Sequence, residues 1–559
     1  MKCGLFFRIG LFALAAMFVV PVVSAGPVQI TGPTVISSPG SYVLTKNISV
    51  NQSPAIRIQC SNVVLDGNGY TIDGVDGSGS FGILVTKNSG SLSDVTVKNV
   101  CLTDWYDGLY YKGVNSGRIE SVTATGNVRA GISLRSSNDN VITDCTAINN
   151  GQGFYIWSEC SRNRIESCTL SGNSEMGLWL ASTGRTGSGI VYDSTNNMVV
   201  GNVARNNGRM GLYVDFSDGN TLSNNQVTSN NQFGIFLDYS SRTSVQSNTV
   251  SGGSEQAVYL YDADQTTIVG NTISGAADYG IWISSSSGNS VRSNTITQNG
   301  KGGIVLNGEE NISANNNTVT SNTIRDNGQT GIYLCRSSGN LITNNLFSNP
   351  TNVRFGGSCG PSTWHTEKQT GTSITGSGTL GGNYWGHPSG TGFSETNSDA
   401  DRDGICDRPY TINSANSDNL PLAKTGGAAP TGTTTAATST PTPTSTSTAA
   451  PTIPATVPTI PLPTDPTSTP TVTPTATNDP EKLSGPYPPL PGCSEAPRDL
   501  DGDGHYEDVN GNGRLDFGDL VLLFNNINTL DDTYPAVVFD FNGNDRIDYA
   551  DITVLYDTL

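Results

Sequence analysis

The chain has 559 residues, of which 65 are Gly and only 14% are charged, with three His and a formal net charge of −19. A balance this acidic argues against nucleic acid as a ligand, because phosphate backbones are held by Lys and Arg. The acid is concentrated at one end: from Cys493 to Leu559 there are fifteen Asp and Glu against three Arg, a carboxylate excess that asks for divalent cations.

In chain order, Met1 to Ala25 carries Lys2 and Arg8, an apolar run from Ile9 to Val23, and the small-residue site Val23-Ser24-Ala25. This is the pattern of a secretory signal peptide over 1–25. No other stretch approaches the roughly 20 apolar residues of a membrane span. The expectation is a secreted, extracellular protein, associated with a cell surface through partners and without a membrane span after signal cleavage.

Residues 26–424 read as one stacked domain. Val199, Leu222, Val245, Ile268 and Val291 recur every 23 residues, followed three positions on by Asn202, Asn225, Asn248, Asn271 and Asn294. Twelve positions on, a Gly or Ala opens the triplets Leu212-Tyr213-Val214, Ile235-Phe236-Leu237, Val258-Tyr259-Leu260, Ile281-Trp282-Ile283 and Ile304-Val305-Leu306. A repeat of this length cannot bury its own apolar face and must stack on copies of itself. Leucine-rich repeats have a similar period, but Asn, Ser, Thr and Gly stand here where a helical half needs helix formers. β-Branched alternations broken by Asn- and Gly-containing turns predict strands alone, three to a coil, in a right-handed parallel β-helix with neighbouring coils about 4.8 Å apart. Regular coils start near Val97, Ile119, Ile142 and Ile165, with loops predicted at Gly184–Asp193 and near Glu309–Asn316, and insertions on solenoids gather on the working face.

Alternation along each triplet points its first and third residues inward and its middle residue to solvent. The outward file is Tyr110, Tyr155, Trp179, Tyr213, Phe236, Tyr259, Trp282 and Tyr333, a set of rings suited to stacking on sugar faces or on one another. Two residues further stand Asp215 and Asp238, with Asp262 displaced by one and Arg135 in an earlier coil. Carboxylates on adjacent coils stand at the separation of a glycosidase pair, making these three Asp the candidate catalytic groups; solubilising the face is the competing role. The Asn202–Asn345 file is predicted to be structural, its buried amides satisfying one another. Ten cysteines occur; Cys145 and Cys168, 23 apart, fall in that same inward column, where either a disulfide or stacked free thiols would fit.

After Ile342 the repeat dissolves, and Gly382-Asn383-Tyr384-Trp385, Asp399 to Tyr410 and Asp418-Asn419-Leu420-Pro421-Leu422 follow. With the coils and the opening run Ser41 to Gly69, this ending resembles the NosD-type β-helix surface proteins of the pectin-lyase-like fold. The resemblance implies the fold and leaves activity open, since such coils host binding proteins, lyases and glycosidases alike. Copper is not expected: three His and five Met, unclustered, give no soft or imidazole site. Asn-X-Ser/Thr sequons stand at Asn47, Asn51, Asn311 and Asn316.

Residues 425–492 are rich in Thr, Pro and Ser and read as a disordered, extended stalk. In 493–559, Asp508, Asn510, Asn512, Arg514 (through its backbone), Asp516 and Asp519 fall at positions 1, 3, 5, 7, 9 and 12 of an oxygen-rich loop with Gly513 at position 6. Asp540, Asn542, Asn544, Arg546, Asp548 and Asp551 repeat it 32 residues later, with Asp545 in place of the Gly. Alternating oxygens on a tight loop converge on one ion, and calcium accepts six to eight of them. A run Asp499-Leu-Asp501-Gly-Asp503 looks like a partial third loop, and Asp399 to Asp407 has similar spacing. A loop and one helix, twice over, resembles the type I dockerin module, a small α-helical EF-hand-like domain; the resemblance implies calcium as cofactor and a cohesin-type protein as partner. The combined expectation is a secreted modular protein that binds polysaccharide, with a polysaccharide-degrading hydrolase or lyase acting through Asp215, Asp238 and Asp262 as the alternative.

Overall fold

The computed structural model describes residues 26–182, 194–309, 313–424, 487–490, 495–500 and a subset of positions from 502 to 555. The segment 1–25, the loop at Gly184–Asp193, residues 425–486 and 491–492 of the stalk and the ligand positions Asp501, Asp503, Asp516, Asn542, Asn544, Arg546 and Asp548 lie outside the described residues; residues 487–490, read from sequence as the end of the stalk, instead pack on the core of the second unit. The chain divides into two compact units, Met1–Thr425 and Gly426–Leu559.

In the first unit, short strands distribute in strict rotation among three parallel sheets of 14 strands each. Each strand pairs with its counterpart one coil on: Val199 stands opposite Leu222, Leu222 opposite Val245, and Val245 opposite Ile268. These inward residues are fully buried, as are Leu212, Val214, Ile235 and Leu237. Stacking thus removes from water the apolar stripe that one coil leaves open, which is why coils of mostly polar sequence hold together.

Asn side chains tie the corners. Asn248 accepts from the backbone N–H and the side-chain amide of Asn225, each at 2.9 Å, and donates to Leu222 O at 2.9 Å and to Asn271 Oδ1 at 3.0 Å. This file runs from Asn202 to Asn345 and ends on Asn383. Two further ladders, unforeseen from sequence, pass through Asn140, Asn163, Asn197 and Asn220 and through Asn127, Asn150, Asn173, Asn207 and Asn230. Turn groups that water cannot reach are satisfied from the next coil. Cys145 and Cys168 replace Asn at the head of the first ladder as buried free thiols, Cys168 still donating its backbone N–H to Asn202 Oδ1.

The C-terminal end of the stack is closed by the segment after Ile342. Trp385 stacks on Phe347 at 5.0 Å and donates its indole N–H to Asp418. Asp418 also accepts the N–H of Asn383 at 2.7 Å, ending the ladder on a buried carboxylate whose pKa burial pushes up to about 6. A Cβ at Gly382 would fall 1.8 Å from that carboxylate, so the close approach requires Gly. The motif noticed in sequence is therefore the seal on the last coil.

The second unit has its own small core, including Leu490, Val509, Leu520, Leu523, Tyr534, Phe539 and Leu555. Asp519, Leu520, Leu522, Leu523 and Asn526 are helical, and so are Asp551, Ile552, Val554 and Leu555.

Candidate functional site

The third sheet carries the outward aromatic file. Tyr155 stands opposite Trp179, Trp179 opposite Tyr213, Tyr213 opposite Phe236, Phe236 opposite Tyr259 and Tyr259 opposite Trp282. Tyr333 is separated from Trp282 by Val305, and Tyr110 from Tyr155 by Ser133. From Trp179 to Tyr259 the rings stack on each other, with centroids 5.7, 5.2 and 4.8 Å apart and planes within 24° of parallel. Rings lying flat on the sheet would be held further apart than this by their own width. They therefore stand on edge, faces against faces, and present edges and hydroxyls outward. Of the two roles the sequence allowed, mutual stacking accounts for the interior rings; any bound sugar meets their rims.

Two residues along, the file reads Lys112, Arg135, Trp157, Ala181, Asp215, Asp238, Tyr261. Arg135 lies over the Trp157 ring at 4.3 Å. Asp215 and Asp238 are directly opposed in register, both only half-buried by surface yet packed among rings. The Tyr213 hydroxyl donates to Asp238 Oδ2 at 3.1 Å. Burial first, and then the Asp238 charge, drive the Asp215 carboxyl well above its ordinary range against the pull of the Tyr213 and Trp179 donors. Burial and the Asp262 charge push Asp238 up to about 7, with Tyr213 pulling the other way. Like charges one strand apart resist joint ionisation, so the pair keeps a proton to higher pH than free carboxyls do. That is the arrangement general acid–base chemistry uses.

Asp262 follows Tyr261, in the left-handed conformation (φ 45°). It belongs to a rim column in which Phe216 and Tyr239 also have positive φ, 43° and 44°. Large side chains rarely occupy that region, at a cost of roughly 1–2 kcal/mol each. Phe216 and Tyr239 stack at 4.7 Å, and Tyr239 meets Tyr261 edge-on at 5.4 Å. Sequence reasoning missed these three residues because they lie outside the triplets. The available signal was aromatic residues following Asp215 and Asp238 where other coils have Ser or Gly.

In the second unit, Asp508, Asp519, Asp540 and Asp551, positions 1 and 12 of the two proposed loops, are buried to within 5%. Asp508 gathers the N–H groups of Asn512 and Gly513 at 2.9 and 2.6 Å, Asn510 accepts from Asn512, and Asn512 from Arg514. Asp519 closes the loop by accepting the N–H of Asn510 at 2.9 Å. Asp499 takes the N–H groups of Gly502 and Gly504. In the first unit, Asp399, Asp401 and Asp403 converge with carboxylate oxygens within 4.8 Å, Asp399 accepting from Asp403 and Gly404 and Asp403 pairing with Lys368. All these donors are oxygens, the set that suits calcium.

The family profile for the right-handed beta helix region matches residues 35–188 and 188–347, more than half of the chain, and the protein belongs to that family. A second profile, described as periplasmic copper-binding protein (NosD), matches residues 310–390. No curated protein matches the chain. Among solved structures it is similar to the periplasmic alginate epimerase AlgG, at 15% identity over 58% of this chain and 78% of that one with a TM-score of 0.43. It is also similar to the A-module of Azotobacter vinelandii mannuronan C-5 epimerase AlgE6, at 18% identity over 58% and 89% with a TM-score of 0.37. The Dettilon tailspike protein gives 16% identity over 59% and 60% with a TM-score of 0.34. These likenesses concern the fold alone. Among the described residues, no helix is long and apolar enough to cross a membrane.

Proposed function

We propose that the β-helix is an extracellular polysaccharide-binding domain whose groove follows the outward columns of the third sheet, on a chain that docks through its C-terminal module. The observation carrying this reading is the opposed pair Asp215–Asp238 set among ring edges and tyrosine hydroxyls. Carboxylates and hydroxyls bond sugar hydroxyls, and ring edges supply apolar contact. Tyr155, Trp179, Tyr213, Phe236, Tyr259, Trp282 and Tyr333 line that path. The test is retention on insoluble glycans: the Tyr213→Ala/Tyr259→Ala double variant should lose retention while keeping its strand-rich circular dichroism. Unchanged retention would remove the groove from consideration.

A second reading, turnover by a hydrolase or lyase, is favoured by one observation, the direct opposition of Asp215 and Asp238 in register, where burial raises the pKa of both carboxyls. New reducing ends or an unsaturated product, abolished in Asp238→Asn, would establish it.

The C-terminal module is proposed to bind calcium through its two Asp- and Asn-rich loops and to engage a cohesin-type protein. Its support is the burial of Asp508, Asp519, Asp540 and Asp551, with Asp508 and Asp519 closing the turn of the first loop. Bound calcium supplies the positive charge that buried carboxylates require. Calorimetry on the full chain should show calcium uptake that Asp508→Ala weakens at least tenfold, with chelator lowering the unfolding temperature of this unit. No uptake would exclude the assignment.

A further inference from the structure

The ring ladder changes character at one place. From Trp179 to Tyr259 successive rings are near parallel, but Tyr239 stands at 79° to Tyr261, Tyr261 at 59° to Tyr259, and Tyr259 at 83° to Trp282. Tyr239, Tyr261 and Tyr259 make a corner rather than a stack, with Tyr261, from the outward column, set at an angle to Tyr239 of the rim column on one side and to Tyr259 on the other. Tyr261 stands opposite Asp238 in register, and Tyr239 is 38% exposed. Burial most of all raises the pKa of the three phenols, and the Asp238 charge adds to it. Asp238 stands among these rings, opposite Tyr261 in register and next to Tyr239 in the chain, with the Tyr213 hydroxyl donating to it.

The charges that act on Asp215 and Asp238 are those of neighbouring carboxylates, Asp238 on the first and Asp262 on the second. Of the cations on nearby coils, Arg242 pairs with Asp218 and Lys301 with Asp278, while Arg209 donates to Gln232 at 3.3 Å and is felt at Tyr213. The rim column continues from Asp262 to Ser285, whose buried hydroxyl has no hydrogen-bond partner. Beside it, Ser284 donates to Glu309 at 3.4 Å. A three-ring corner with carboxylates at its base and a spare hydroxyl on its rim is chemistry for an ammonium group, held by ring quadrupoles and negative charge together.

We infer that the sugar seated at Tyr239, Tyr259, Tyr261 and Asp238 carries a protonated amine, so that the glycan is an amino-sugar polymer and not a polyuronate. This rests on the groove reading above. A chain of carboxylate-bearing sugars would bring like charge to Asp215 and Asp238, which costs affinity. A cation seated there would favour the ionised form of Asp238, so binding releases a proton from the pair.

The experiment is calorimetric titration of the full chain with glucosamine oligomers, the same oligomers N-acetylated, and oligouronates of equal length. At a pH below the amine pKa, where the ammonium is already formed, glucosamine oligomers should bind at least tenfold tighter than the acetylated set, with net proton release from the pair seen as dependence of the heat on buffer ionisation. Oligouronates should bind weakest. Asp238→Asn and Tyr239→Asn should each bring the glucosamine affinity down to that of the acetylated oligomers, with urea midpoints near that of the parent protein. Equal or tighter binding of acetylated or uronate oligomers overturns the amine assignment while leaving the groove in place. Preference for a polylysine peptide of matched charge overturns it in favour of a protein ligand. Failure to bind any glycan removes both this inference and the groove reading.

Discussion

Two charged pairs on the outer face of the third sheet make an instructive contrast. Asp107 and Arg129 form a bidentate ion pair, with Arg129 Nε at 2.9 Å from Asp107 Oδ1 and the Ser133 hydroxyl completing the carboxylate. Burial pushes the Asp107 carboxyl up and the guanidinium pulls it back, while Arg129 is itself held above its ordinary range; the bidentate geometry decides for the ionised pair. Arg129 also lies over the rings of Tyr106, Tyr110 and Tyr155. Several coils on, Asp215 and Asp238 occupy an equally ringed setting with like charges opposed. The first arrangement neutralises itself. The second leaves a repulsion that folding alone gives no reason to keep, and such residues mark sites.

The sharpest break of this contrast is Arg129→Met. Leaving Asp107 buried without its partner should cost about 3–5 kcal/mol, read as a fall in the urea midpoint of the β-helix. Adding Asp107→Leu should recover most of that loss, because no unpaired charge is left. As a control on the interior, Asn248→Ala should destabilise by about 1–3 kcal/mol, since the backbone N–H of Asn225 and the carbonyl of Leu222 lose their partners.

At the like-charged pair the sign reverses. Asp238→Asn should raise the unfolding temperature at pH 8 by roughly 1–3 °C, removing repulsion without changing shape. A fall instead would mean that the carboxylate is structural. The smallest effect is the pH profile. A carboxyl whose pKa is raised on folding binds more protons folded than unfolded, so its contribution is fully present below the unfolded value of about 3.9 and is lost with rising pH. For Asp238 that loss is complete just above pH 7, and Asp418 adds a similar decline toward pH 6. The decline toward pH 7 should flatten in the Asp215→Asn/Asp238→Asn double variant while the part due to Asp418 persists.

The 23-residue period alone determined the parallel coils, the inward Asn file, the outward aromatic file and the register of Asp215 with Asp238, because equal turns bring equal positions into vertical columns. Sequence also carried the oxygen spacing of the C-terminal loops, which is local chemistry. Only the tertiary structure decided that the interior rings spend their faces on one another, since strand spacing sets how closely rings of neighbouring coils approach. It also brought in Phe216 and Tyr239, whose positions depend on a left-handed turn that strand periodicity does not describe, and set Tyr261 beside them. The raised pKa of the acid pair was likewise beyond the sequence, because it follows from burial, against the pull of the hydroxyl that reaches Asp238.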